Sequence, residues 1–144
     1  MKSSAGSLGP STQKIVARIR KVRRAAEKSA KSKKRFAHRR YLRSVYRAYR
    51  HFEDNNLLPH LIEIAPSVFR ARVRSDFHPV RVIIEASFFR ADPKTRSRWT
   101  RALQYAVAER ADPDELLQFI RAHNGVAGCA ELASKTRSRR PMGG

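Results

Sequence analysis

The chain has 144 residues, 41% of them hydrophobic, and its 32 Lys and Arg against 12 Asp and Glu give a formal charge of +20. That length suits one domain with tails, and that charge exceeds what solubility requires and attracts polyanions at long range. Nucleic acid is therefore the first partner expected, ahead of an anionic membrane surface or an acidic protein; the single cysteine, Cys129, excludes an internal disulfide, and no apolar run is long enough to span a bilayer.

Residues 1–10 are rich in Ser and Gly and read as a disordered leader. With no apolar core the leader is not a secretory signal, and its match to an organellar transit peptide is compositional only. Residues 11–35 read as a basic arm. Ser11 and Thr12 are good N-caps, and Ile15, Ile19, Val22 and Ala26 then recur at helical spacing, in a belt that includes Arg18, Lys21 and Arg24. So narrow a stripe buries little alone, and the helix is expected to form when the arm meets a partner or an anion. Beyond Glu27 the stripe is lost in a run containing Lys31, Lys33, Lys34 and Arg35, which is either a hinge or the middle of one long helix.

The next segment, 36–134, reads as a small, mainly α-helical domain. Apolar periodicity resumes with Phe36 and continues through Tyr41, Leu42, Val45, Tyr46, Tyr49 and Phe52, with Arg39, Arg40, Arg43, Arg47 and Arg50 elsewhere on the turn. The regular spacing of the tyrosines favours core contacts over stacking platforms for unpaired bases. LLPHLIEIAPSVF is a short apolar element, expected to start at Pro59 and to break at Pro66. Phe69, Ala71 and Val73 alternate with arginines, which is strand periodicity, so a β-hairpin at about 69–86 is the alternative to a helix over 79–89.

The tetrapeptide RADP then appears at Arg90–Pro93 and Arg110–Pro113, each copy ending one element and starting a helix, since Asp caps and Pro suits the first turn. Glu115 completes a capping-box pattern with Asp112. Helices are expected over 93–109, 113–122 and 126–134, with Asn124 or Gly125 taking the left-handed position between the last two. The tail, 135–144, reads as basic and disordered.

The pentapeptide KTRSR also occurs twice, at Lys94–Arg98 and Lys135–Arg139. In the first copy Trp99, Ala102, Leu103, Ala106 and Val107 form an apolar face, which leaves Lys94, Ser97, Arg98 and Arg101 on the other side near the helix start. A helix entering a major groove N-terminus first presents such residues to bases and phosphates. Segment 79–109 accordingly resembles a helix-turn-helix unit, although it lacks a glycine in the turn. The second copy offers Lys135, Arg137 and Arg139 for phosphate neutralisation only.

Enzyme signals are weak. The five histidines are scattered, and neither zinc-protease, P-loop nor nucleophile-elbow motifs occur. Cys129, between small residues, reads as a packing thiol. No catalysis, cofactor or metal is expected. The expected function is binding of double-stranded DNA, regulatory or architectural, with Arg18, Lys21, Arg24, Lys31, Lys33, Lys34 and Arg35 of the arm, Arg39 and Arg40 just beyond it, and Lys94, Ser97, Arg98 and Arg101 as contacts. RNA binding, including association with ribosomes, is the alternative, and an adaptor for an acidic protein the second. A homodimer is open, and the expected location is cytoplasmic, nucleoid-associated or, in a eukaryote, nuclear.

Overall fold

The stripe of Ile15, Ile19, Val22 and Ala26 finds its partner inside the chain. A computed structural model describes residues 9–34, 36–88 and 90–138. In it α1 (Pro10–Lys31) buries all four of these residues together with Thr12. The helix packs along α2 (His38–Asp54) and touches α3 (Leu58–Val68) and α4 (Pro79–Ser87), so four buried side chains join a shared core and need no outside ligand to be covered. Lys28 and Lys31 in the last turn of α1 complement its dipole. At Ser32 the backbone turns extended, and the Ser32 hydroxyl accepts from the Lys34 amide at 3.2 Å, so the cationic run is a turn between two helices and not the middle of one.

α2 is the axis of the fold. Its face of Tyr41, Leu42, Val45, Tyr46, Ala48, Tyr49 and Phe52 is buried, and it meets α1, α3, α4, α5 (Pro93–Ala108) and α6 (Leu116–Ala122). The three tyrosines are core residues whose hydroxyls find partners, as buried phenols must. Tyr41 lies 2.8 Å from Ser87 Oγ, Tyr46 donates to the carbonyls of Ala111 (2.7 Å) and Ala106 (3.2 Å), and Tyr49 donates to Glu53 at 3.1 Å.

Pro66 does not end α3, which continues to Val68. Pro66 withholds one amide from the helix ladder without stopping it, and the end is closed by the Phe69 and Ala71 amides, which both donate to the Ala65 carbonyl. Residues 69–78 form no strand: Arg70 takes a left-handed φ of 54°, which breaks the alternation, and Phe69, Val73 and Phe77 pack on the core as irregular chain. Over 79–87 the helix forms, capped by His78, whose Nδ1 accepts from the Val80 amide at 3.0 Å.

The fold is mainly helical, with no strand among the described residues. No described helix is long and apolar enough to cross a membrane. Asp92 stands at the N-cap of α5 without a side-chain cap bond, whereas Asp112 accepts from the Asp114 amide at 2.8 Å and opens a short 3₁₀ turn, Pro113–Glu115, before α6. Asn124 and Gly125 are both left-handed (φ 66° and 80°) between α6 and α7 (Gly125–Ser138). A Cβ on Gly128 would sit 2.0 Å from the His123 carbonyl oxygen, so only glycine lets α7 start this close to the turn. α7 lies along α5 in the most extensive helix pairing of the molecule. It runs past the expected end at 134, so Lys135–Ser138 are helical and not disordered tail, with Lys135 reaching Glu131 one turn back at 3.4 Å.

Candidate nucleic-acid interface

Beside their apolar stripes, α1 and α2 each carry a second stripe at the same helical spacing. On α1 it comprises Arg18, Lys21, Arg24, Ala25, Lys28 and Ser29, and on α2 Arg40, Arg43, Ser44 and Arg47. Because the apolar stripes hold the two helices side by side, the second stripes face one another across a groove of about 840 Å³, closed at one end by Ser32, Lys34, Phe36 and Ala37. Eight Lys and Arg line it, and no Asp or Glu is among the described lining residues. No side-chain oxygen caps α2 at Ala37, so the positive end of its dipole adds to the field there.

Two groove cations, Arg18 and Lys21, also act on His51. Its pKa is lowered, first by burial and then by Arg18, with Lys14 and Lys21 acting the same way and Asp54 opposing. Arg47 at the far end pairs with Asp114 at 2.8 Å, but the two side chains are 45% and 81% exposed, so the pair is worth about 1 kcal/mol or less and leaves Arg47 recruitable.

Of the residues singled out in sequence, Arg18, Lys21, Arg24, Lys34 and Arg40 line the groove, and Lys31 and Lys33 are exposed at the turn that closes it. Arg39 points elsewhere: its guanidinium stacks 3.9 Å from the Phe36 ring centroid and approaches Gly125. On α5, Lys94 and Arg98 are exposed, whereas Ser97 and Arg101 are half-buried and Arg101 Nη1 donates to Ser97 Oγ at 3.1 Å. The face of α5 expected to be open therefore offers two free-standing cations. Lys135 is paired with Glu131, and the Arg35, Arg137 and Arg139 side chains lie outside the described residues.

Lys28, Arg43 and Arg47 join the groove without having been singled out as contacts. Their signal was present, since 18, 21, 25, 28 and 40, 43, 47 recur at spacings of three and four just beside the apolar stripes. By its spacing Phe36 opens the α2 apolar face, yet it is 49% exposed and lines the groove. Arg23, Arg81 and Arg96 serve the fold: Arg23 Nε donates to the Ala86 carbonyl at 2.9 Å, and Arg81 and Arg96 converge on Glu85. Cys129 is fully buried and its thiol is pushed up to about 11 by burial, with Arg39 opposing, so it stays protonated at neutral pH and packs.

What the groove can do chemically is hold a chain of anions. Its cations are spaced along two helices and do not converge on one point, which suits a run of phosphates better than a single small anion. The chain matches no family model, no curated protein and no solved structure, so any functional reading rests on its own residues.

Proposed function

We propose that the protein binds nucleic acid and holds a sugar–phosphate backbone in the α1–α2 groove. The observation that carries this reading is seven cations on two facing helices and an eighth, Lys34, in the turn between them, with no carboxylate in the described lining. Binding of this kind supplies affinity and orientation without reading sequence. Duplex DNA is the first partner proposed, with a regulatory or architectural role: α4, the turn and α5 act as a helix-turn-helix-like pair that adds Lys94 and Arg98 as further contacts. RNA is the second reading, favoured by the exposed aromatic ring in the groove.

The test is a titration of labelled mixed-sequence duplex, over a range of salt concentrations, challenged with unlabelled duplex and with structured RNA. The Lys21→Ala/Arg40→Ala variant is expected to bind more weakly and to lower the log–log salt slope by about 2. Lys94→Ala/Arg98→Ala is expected to reduce the preference for duplex. Binding to neither polymer, or a salt slope that ignores the groove variant, overturns the reading.

A further inference from the structure

Each wall of the groove sets one small residue between two cations, at the same spacing. On α1 Lys21, Ala25 and Lys28 stand at i, i+4 and i+7, and on α2 Arg40, Ser44 and Arg47 repeat the pattern. Residues so spaced share one helix face, and the two cations of each set lie about 10 Å apart along it. The turn after α1 sends α2 back along it, so Lys28 and Arg40 lie towards the closed end and Lys21 and Arg47 towards the far one. All four cations are exposed, whereas Ala25 and Ser44 are half-buried between them. Charge stands at the rim and small side chains form the floor.

Alanine suits both floor positions, being small and the best helix former, whereas serine inside a helix competes with the backbone for hydrogen bonds. Hydroxyls in other helices bond back to a carbonyl one turn earlier, as Thr100 does to Arg96 at 2.8 Å, Ser87 to Ile83 at 2.7 Å and Ser134 to Ala130 at 3.2 Å. The Ser44 hydroxyl makes no such bond among the described residues and lines the groove instead. Arg40 and Arg47 flank it, the latter shared with exposed Asp114 outside the lining. A neutral donor between cations suits a phosphate oxygen: the cations balance its charge, and the hydroxyl fixes where it sits.

We propose that Ser44 is a phosphate-contacting residue: one phosphodiester of a duplex DNA backbone enters between the four cations and accepts a hydrogen bond from the Ser44 hydroxyl. Ala25 opposite leaves room for it. The proposal rests on the nucleic-acid reading above and deepens it, from charge spread along a groove to one fixed contact. That contact reads no base; it sets the register in which the backbone lies on the protein.

The experiment titrates a mixed-sequence DNA duplex with the full chain over a range of salt concentrations, and structured RNA in parallel. Wild type, Ser44→Ala, Ala25→Leu and Lys21→Ala/Arg40→Ala are compared after thermal melts show that each is folded. Ser44→Ala is expected to weaken duplex binding by about tenfold at an unchanged log–log salt slope, because a hydroxyl displaces no counterion. Its melting temperature should not fall, since alanine suits a helix better than serine. Ala25→Leu keeps every charge but fills the floor, and is expected to weaken binding as well. The charge variant, by contrast, lowers the slope. Ser44→Ala binding within about twofold of wild type, or lowering the slope as the charge variant does, overturns the Ser44 contact while leaving the nucleic-acid reading intact. So does an Ala25→Leu variant that binds like wild type. A loss seen on structured RNA and not on duplex overturns duplex DNA as the ligand seated there. A wild type that binds neither polymer overturns the nucleic-acid reading itself, and the Ser44 contact with it.

Discussion

At the α4–α5 junction Arg81 and Arg96 close on one carboxylate, Glu85, at 2.7 and 2.8 Å, whereas eight cations line the α1–α2 groove with no carboxylate in the described lining. The junction is shut from water: the three side chains are 15%, 14% and 6% exposed, Arg96 also donates to the Ala91 carbonyl, and neighbouring Arg23 is taken up by the Ala86 carbonyl at the end of α4. A guanidinium out of water needs acceptors around it, and the junction supplies them. In the groove the described lining offers no carboxylate, and Arg47 alone of these cations is shown reaching one, the exposed Asp114 outside the lining. Arginine content therefore does not separate the two regions; the distribution of carboxylates and carbonyls does.

The comparison breaks most visibly at Glu85. Glu85→Ala leaves two guanidinium groups buried beside each other and is expected to cost about 3–5 kcal/mol. Urea denaturation measures the loss, and nucleic-acid affinity per folded molecule should not change. A cost under about 1 kcal/mol would mean that the junction is not the closed network its geometry describes.

Two neighbouring cations of α1 sharpen the contrast next. Arg23→Ala removes a charged donor from the Ala86 carbonyl and is expected to lower stability by about 1.5–3 kcal/mol without altering the salt dependence of binding. Lys21→Ala, on the same helix but in the groove, should do the reverse: its salt slope falls while denaturation is within about 0.5 kcal/mol of wild type. Identical behaviour of the two variants would erase the distinction between structural and binding cations.

Much of this architecture was legible in sequence, and the parts that were not share a cause. Local chemistry gave the helices: the stripe of α1, the tyrosine face of α2, the proline starts of α3 to α5 and the left-handed Asn124–Gly125 break all follow from spacing and capping within one segment. Element ends were less legible than element centres, as at Ser138, where α7 ends four residues beyond the 134 that its small-residue run suggests. The candidate groove was legible in part, since its residues recur at spacings of three and four, but one segment does not say which other helix they face. Whether an arginine near Lys21 faces α2 across solvent or reaches a carbonyl of α4 depends on how α1 is rotated against two other helices, and a single helix period does not contain that. Phe36 shows the same limit, because its place in the apolar rhythm of α2 resembles a core position until the turn at 32–37 swings it into the groove.

Acid should weaken the fold through histidines that the structure keeps neutral. His78 has its pKa lowered by burial, with Glu53 opposing, and its Nδ1 must be unprotonated to accept from the Val80 amide. His38 is lowered by burial and then by Arg39, and His51 by burial and the groove cations. A base whose folded pKa is depressed binds more protons when unfolded, so stability is full above about 6.5 and falls as pH drops towards the folded values. His78→Asn supplies a cap that does not titrate, and its melting temperature should fall less steeply between neutral and mildly acidic pH than that of wild type. His78→Ala should cost about 0.5–2 kcal/mol at neutral pH. If the groove holds nucleic acid as proposed, its phosphates offset the field of Arg18, Lys14 and Lys21, and the His51 pKa, followed by NMR, should rise on binding.

The smallest effect concerns arginines that belong to neither region. Arg110 follows α5 with a left-handed φ of 55°, and the amide of the next residue, buried Ala111, closes the helix by donating to the Ala106 carbonyl at 3.0 Å. Glycine suits that backbone position, since a side chain there meets the following carbonyl. Arg110→Gly therefore relieves the backbone of the folded state, while the looser unfolded chain returns part of the gain. The net expectation is a stabilisation of about 0.5 kcal/mol, read as a higher denaturation midpoint at unchanged slope. A loss instead would show that the Arg110 side chain contributes to the fold as Arg23 does, and would move it from the outer set of cations to the inner one.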